Sequence, residues 1–185
     1  MSKDKIKVAF LDRDGVINKE INYLYKIEDF EYTENCIEGL KKIRELGYEI
    51  IIVTNQAGIA RGYYSVEDYE ILTDWYLNDL AKKGIKILDV KFCPHHPKGA
   101  VQKYAILCDC RKPNVGMLKS IFEEINIDFA NSILIGDKIT DIQMGQSMGL
   151  NKKKLFLVKT GHSLPPKISG CRVFDCLYSV AQLLE

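Results

Sequence analysis

Two aspartates, Asp12 and Asp14, stand two residues apart with Gly15 directly behind them. Carboxylates this close repel one another, and a strand end in a packed sheet offers little water to relieve the repulsion. In isolation such a pair reads as a polar, solvated loop. Three other groups argue for chemistry instead: Thr54-Asn55, Arg111-Lys112-Pro113, and Gly136-Asp137 with Asp141. Together they offer oxygens for a hard cation, a hydroxyl and an ammonium for phosphate, and one carboxylate free to attack. Magnesium held by a few carboxylates and by phosphate oxygens is the usual arrangement for phosphoryl transfer.

A second group is Cys93-x-His95 and, after twelve intervening residues, Cys108-x-Cys110. These four soft or borderline donors suffice for a tetrahedral structural zinc. The one-residue spacer is shorter than zinc fingers commonly use, and the alternative is small buried hydrophobes with a surface histidine. Crowding three cysteines and a histidine onto one Pro/Gly-rich loop favours the metal. Cys36, Cys171 and Cys176 fall outside the group and read as buried or incidental thiols. An even count of six cysteines does not imply disulfides in a cytoplasmic chain, where thiols stay reduced.

The elements that must position these groups can be read from periodicity. Short β-rich runs cover Lys7–Leu11, Glu49–Val53, Val90–Phe92, Ser132–Ile135 and Lys154–Val158. Helical spacing covers Asn35–Leu46, stopped by Gly47, and a stretch from Ser65, an N-cap with Asp68 three residues on, to Lys83 and Gly84. It recurs over Asn114–Ile125, over Thr140–Met148 before Gly149, and in a closing helix from Val173 to Leu184. Strands alternating with helices predict an α/β fold, a Rossmann-like parallel sheet covered on both faces. Ligands of such sheets bind beyond the carboxyl ends of the strands, where Asp12, Asp14, Thr54 and Asp137 are expected. No large cap domain fits between Gly15 and Thr54 or between Thr54 and Lys112, so the site should be open.

The 185 residues, 46% hydrophobic and 28% charged, predict one soluble domain spanning 1–185. A net charge of +1 supplies no field for nucleic acid or membrane, and no run approaches a membrane span. Met1–Lys5 lacks the pattern of a signal peptide, so a cytoplasmic location is expected. The basic run Asn151–Lys154 reads as a solvated turn, and the absence of a long apolar stripe predicts a monomer.

Phe10–Ile17, Val53–Gln56, Lys112 and Gly136-Asp137, in order and spacing, resemble the haloacid dehalogenase superfamily of phosphatases. Cys93–Pro97 and Cys108–Pro113 are similar to its zinc-containing, histidinol-phosphatase-like branch, and Thr54–Gly62 to the heptose-bisphosphate phosphatases within it. The resemblance runs from about Val8 to Val158. It implies that Asp12 is the nucleophile, forming an aspartyl-phosphate, and that Asp14 is first general acid and then base. It implies magnesium on Asp12, the Asp14 carbonyl and Asp137, and Thr54 and Lys112 on the phosphoryl oxygens. It carries Cys93, His95, Cys108 and Cys110 over as ligands of a structural zinc, with His96 left outside.

Relatives contact substrate in the segment after the aspartates, so Glu20, Ile21, Asn22 and Tyr23 become candidate sugar contacts. Asn55, Gln56 and Lys138 are further substrate-binding candidates, and Arg111 is a second anion reader because its planar fork matches phosphate. Arg13 reads as structural or substrate-facing and receives no catalytic part. Asp141 either orients Lys112 or the metal shell, or is a plain acid at a helix N-terminus. The partner so implied is a small sugar bisphosphate losing its 7-phosphate, in the synthesis of nucleotide-activated heptose for lipopolysaccharide core or capsule. Histidinol phosphate is the rival substrate. A phospho-accepting signalling module is a rival of another class, since it also uses Asp, Thr and Lys around magnesium.

Overall fold

A computed structural model describes residues 4–184. Six strands form one sheet: β1 (Val8–Leu11), β2 (Glu49–Asn55), β3 (Asp89–Cys93), β4 (Ile133–Gly136), β5 (Leu155–Val158) and β6 (Arg172–Phe174). Every pairing is parallel, and the order is β3-β2-β1-β4-β5-β6. The chain therefore starts in the middle of the sheet, builds outward to β3, and crosses back over β1 to β4. That reversal beside β1 opens a crevice at the carboxyl ends of β1, β2 and β4.

The helices are α1 (Cys36–Glu45), α2 (Ala57–Arg61), α3 (Val66–Lys82), α4 (Lys119–Glu124), α5 (Ile139–Ser147) and α6 (Leu177–Leu183). Alternate strand residues divide between two cores, as the two-residue period of a strand requires. Ala9 and Leu11 pack with Leu40, Ile43, Leu72, Tyr76, Leu177 and Val180, which places α1, α3 and α6 on one face. Val8 and Phe10 pack with Ile121, Ile142 and Met144, which places α4 and α5 on the other. Burial on both faces explains why β1 reads as an unbroken apolar run. The predicted start of α3 is present as a complete capping box: Ser65 Oγ accepts from the Asp68 N–H, and Asp68 accepts from the Ser65 N–H.

Two predicted helices differ. The stretch Asn114–Ile125 is a loop, a 3-10 turn at Gly116–Leu118 and the short α4. Gly116 donates to the Asp109 carbonyl at 2.9 Å, so the backbone stays tied to the cysteine loop and cannot wind earlier. The stretch Val173–Leu184 opens as β6 and becomes helical only at Leu177. Val173 and Phe174 suit a helix or a strand, and the exposed edge of β5 decides for the strand. The basic run at residues 152–154 is an exposed or half-buried 3-10 turn, as expected of a solvated segment. Met1, Ser2, Lys3 and Glu185 lie outside the described residues, so the reading of the N-terminal segment rests on sequence alone.

Candidate active site

The carboxyl ends of β1, β2 and β4 bring Asp12, Thr54 and Asp137 together, and the loop before α4 delivers Lys112 between them. Asp12 and Lys112 are both buried, with the Lys112 ammonium 2.9 Å from Asp12 Oδ1. The same ammonium meets Asp141 Oδ1 at 2.6 Å and donates to the Val53 carbonyl at 2.9 Å. The Val53 carbonyl takes a hydrogen bond from the ammonium, and the two carboxylates pair with it as ions. Burial works against the Lys112 charge, but Asp12 and Asp141 override it and hold the ammonium above its ordinary pKa. Burial pushes the Asp12 carboxyl up to about 6 against the pull of Lys112. Burial, then the charge of Asp12, also raises Asp137.

Asp141 fills both roles offered for it from sequence. One oxygen accepts the Lys138 N–H at the start of α5, at 2.9 Å, and the other pairs with Lys112.

Asp14 lies beside this group but answers to different partners. Arg13 turns inward, fully buried, and its guanidinium donates to both Asp14 oxygens at 2.8 and 3.0 Å. Asn18 and Gln56 add side-chain donors at 3.0 and 2.9 Å. Burial would raise Asp14, yet Arg13 and these hydrogen bonds hold it below the usual carboxylate range. Gln56 Nε2 also donates to Thr54 Oγ1 at 2.8 Å, while Tyr64 O–H donates to Gln56 Oε1 at 2.5 Å. With that bond accepted, the Thr54 hydroxyl proton is free for a ligand oxygen.

A cavity of about 340 Å³ opens in front of these groups. Of the predicted substrate residues, Glu20, Asn22, Tyr23, Arg111 and Lys138 line it. Ile21 does not; it is 47% exposed, and the chain carries it away from the cavity between two residues that face it. Asn55 and Gln56 reach the lining with their side-chain amides already engaged. Asn55 Oδ1 accepts the Lys112 N–H at 3.0 Å and its Nδ2 donates to the Lys112 carbonyl at 3.2 Å, so Asn55 clamps the lysine's backbone. Sequence reading missed Arg61, Tyr64, His96, Thr140 and His162 as lining residues. Arg61 sits in the Thr54–Gly62 stretch, where its charge was the available signal. Its Nε is buried without a hydrogen-bond partner, and its guanidinium lies 5.9 Å from the centre of the Tyr23 ring.

Among the described residues three donor sets can hold metal, one of them Glu20, Asp137 and His162. Asp12, Asp137 and Asp141 present carboxylate oxygens within 4.8 Å of one another, and Asp137 Oδ1 is buried with no partner. Such a concentration of buried anionic oxygen fits a hard divalent cation. Cys93, His95, Cys108 and Cys110 also converge within 4.8 Å. The sulfurs lie 3.0 to 3.6 Å apart, outside disulfide bonding, and His95 Nδ1 stands 3.2 Å from Cys110 Sγ. Three thiols and an imidazole at that spacing fit tetrahedral zinc. Burial, reinforced by the hydrogen bond shared with Cys110, pushes the Cys93 thiol up, a penalty that a bound cation removes. His96 lies outside the set and accepts the Lys98 N–H instead.

Comparison with known proteins agrees with this geometry. A HAD-hydrolase-like family model matches residues 109–177. The chain is 56% identical, over the full length of both chains, to D-glycero-alpha-D-manno-heptose-1,7-bisphosphate 7-phosphatase of Photorhabdus laumondii. It is 38% identical to the D-glycero-beta-D-manno-heptose-1,7-bisphosphate 7-phosphatase of Escherichia coli K12, over 97% of this chain and 94% of that one. Among solved structures, D,D-heptose 1,7-bisphosphate phosphatase from B. bronchiseptica, complexed with magnesium and phosphate, superposes with a TM-score of 0.79. The match has 28% identity and covers 97% of this chain and 98% of that one.

Proposed function

The chain belongs to the D-glycero-manno-heptose-1,7-bisphosphate 7-phosphatase family of HAD-like hydrolases, and from that membership we propose that it removes the 7-phosphate of a heptose 1,7-bisphosphate. The observation that carries the reading is the placement of Asp12, paired with Lys112 and adjacent to Asp137, at the floor of a cavity lined by Arg61, Arg111 and Lys138. A nucleophile at the floor and cations along the wall suit a sugar with one phosphate to lose and another to be held. A histidinol monophosphate would leave those cations without a second anion.

Asp12 attacks the 7-phosphorus, forming an aspartyl-phosphate as the bond to the sugar oxygen breaks. Thr54 and Lys112 hold the phosphoryl oxygens through the transfer. Asp14 donates its proton to the departing C7 oxygen, then takes one from the water that cleaves the aspartyl-phosphate. The negative charge of an arriving phosphate opposes the pull of Arg13, which favours a proton on Asp14 when substrate is bound. Asp12, the Asp14 carbonyl and Asp137 would hold magnesium; the partnerless Asp137 Oδ1 supports that assignment. When bound, the ion neutralises the charge that the phosphate and Asp12 bring together. Cys93, His95, Cys108 and Cys110 would hold a structural zinc that fixes the loop carrying Arg111 and Lys112.

Glu20, Asn22 and Tyr23 face the sugar. The higher identity to the relative named for the α-anomer favours that anomer. The described residues, built on one sheet, act as one phosphatase domain, and no helix among them is long and apolar enough to cross a membrane. We place the enzyme in the cytoplasm as a monomer.

The test is phosphate release with magnesium from α- and β-heptose 1,7-bisphosphate and from histidinol phosphate, for the native chain and Asp12→Asn. Faster release from the α-anomer, abolished by the substitution, supports the substrate, the anomer and the nucleophile. Preference for histidinol phosphate overturns the substrate, and release that survives Asp12→Asn overturns the nucleophile.

A further inference from the structure

The loop after β5 closes onto Asp137. Thr160 Oγ1 donates to the Gly15 carbonyl at 2.6 Å, tying the loop to the turn behind Asp14. Gly161 packs so tightly that a Cβ on it would fall 2.1 Å from Asp137 Oδ2. His162 then reaches that same oxygen twice, through its backbone N–H at 2.9 Å and through Nδ1 at 2.7 Å. The other carboxylate oxygen, Oδ1, has no partner. One oxygen of this carboxylate is held from two directions and the other is kept free.

We propose that His162 is a positioning residue for the magnesium site: its Nδ1–H fixes Asp137 Oδ2 and so presents Oδ1 to the cation. The inference rests on the reading of Asp137 as a magnesium ligand. A carboxylate can rotate about its Cβ–Cγ bond, and a single backbone donor leaves that rotation loosely controlled. The second donor, in a ring, restricts it. Donors of this kind behind a metal ligand typically contribute about 10- to 100-fold to metal affinity. Glu20 Oε2, 3.6 Å from the same Nδ1 and 3.8 Å from Lys138 Nζ, adds an anion on the cavity side of the imidazole. The pairing favours the Nδ1–H tautomer, because two carboxylates face that nitrogen. The His162 side chain is itself 40% exposed, so its removal leaves the core untouched.

The test uses the zinc-loaded full chain and its variants His162→Ala, His162→Asn and His162→Gln. Two constants are measured: Mn²⁺ binding by electron paramagnetic resonance, and the half-saturating Mg²⁺ concentration for phosphate release. His162→Ala should weaken both about tenfold or more, with little change in the substrate KM at saturating Mg²⁺. Asn carries its amide nitrogen where Nδ1 stands and should recover most of the loss; Gln, one bond longer, should not. Unchanged cation constants with a raised substrate KM would overturn the proposal, making His162 a substrate contact. Recovery by Gln rather than Asn would also overturn it. Failure of the magnesium reading is separately visible, since the native chain would then bind Mn²⁺ no better than Asp137→Asn.

Discussion

The guanidinium of Arg13 grips both carboxylate oxygens of Asp14, at 2.8 and 3.0 Å, although the two residues are adjacent in the chain. The fork is also held by the Leu24 carbonyl at 3.2 Å and lies 5.7 Å from the centre of the Tyr69 ring. Arg13 therefore stations the proposed acid and base of the reaction.

Replacing Arg13 by Met should lower stability by about 3 kcal/mol, the scale for removing one member of a buried ion pair. The pH dependence follows from the lowered Asp14 pKa. The pair stabilises fully above the unfolded carboxylate's value of about 4 and fades as pH falls through the lower folded value. Chemical denaturation should show a wide gap between the native chain and Arg13→Met at neutral pH, narrowing below about pH 4. Arg13→Lys should recover charge but not the two-pronged grip, and kcat should stay depressed.

Asp12→Asn should abolish turnover, by a factor on the order of 10⁴ or more as for other enzyme nucleophiles. Without divalent cation it should also be more stable than the native chain at pH 7.5. A carboxyl raised to about 6 destabilises the fold increasingly as pH climbs toward that value, and the full effect persists above it. A thermal melt in magnesium-free buffer should register a rise of about 2–4 °C for each kcal/mol relieved. A fall in Tm would show that Asp12 is needed to neutralise Lys112.

How much of the site was legible follows from where each signal lay. Asp12, Thr54 and Asp137 close apolar runs, so the parallel sheet alone predicted their meeting. The four metal donors sit within eighteen consecutive residues and needed no fold to be noticed. The roles of Asn55 and Arg13 were hidden because their partners are tertiary: Asn55 clamps a backbone 57 residues away, and the inward turn of Arg13 depends on Leu24, Gln56 and Tyr69. His162 lies in a Gly/Pro-containing loop with no motif of its own, and only the pairing of β4 with β5 brings it to Asp137.

Zinc analysis should find one ion per chain, lost in Cys108→Ser. The loop between Cys93 and Cys110 should then open to trypsin at Lys98 and Lys103, with activity falling because Lys112 follows directly. Equal protease resistance with and without metal would count against a structural role.

Arg61→Ala and Arg111→Ala should each raise KM for the bisphosphate about tenfold or more, the scale of a hydrogen bond to a charged group. Neither should change KM for a heptose 7-monophosphate by more than about twofold. An equal effect on both substrates would place these arginines at the departing phosphate instead.

The ends of the sheet bear on behaviour at high concentration. A parallel sheet exposes two rows of unpaired backbone groups, which can recruit strands from other molecules. Here β3 carries Asp89 and Lys91 on one side of the strand, paired at 3.0 Å, and β6 is only three residues long. Charge guards one margin and brevity the other, so the two edge strands are kept from seeding self-association.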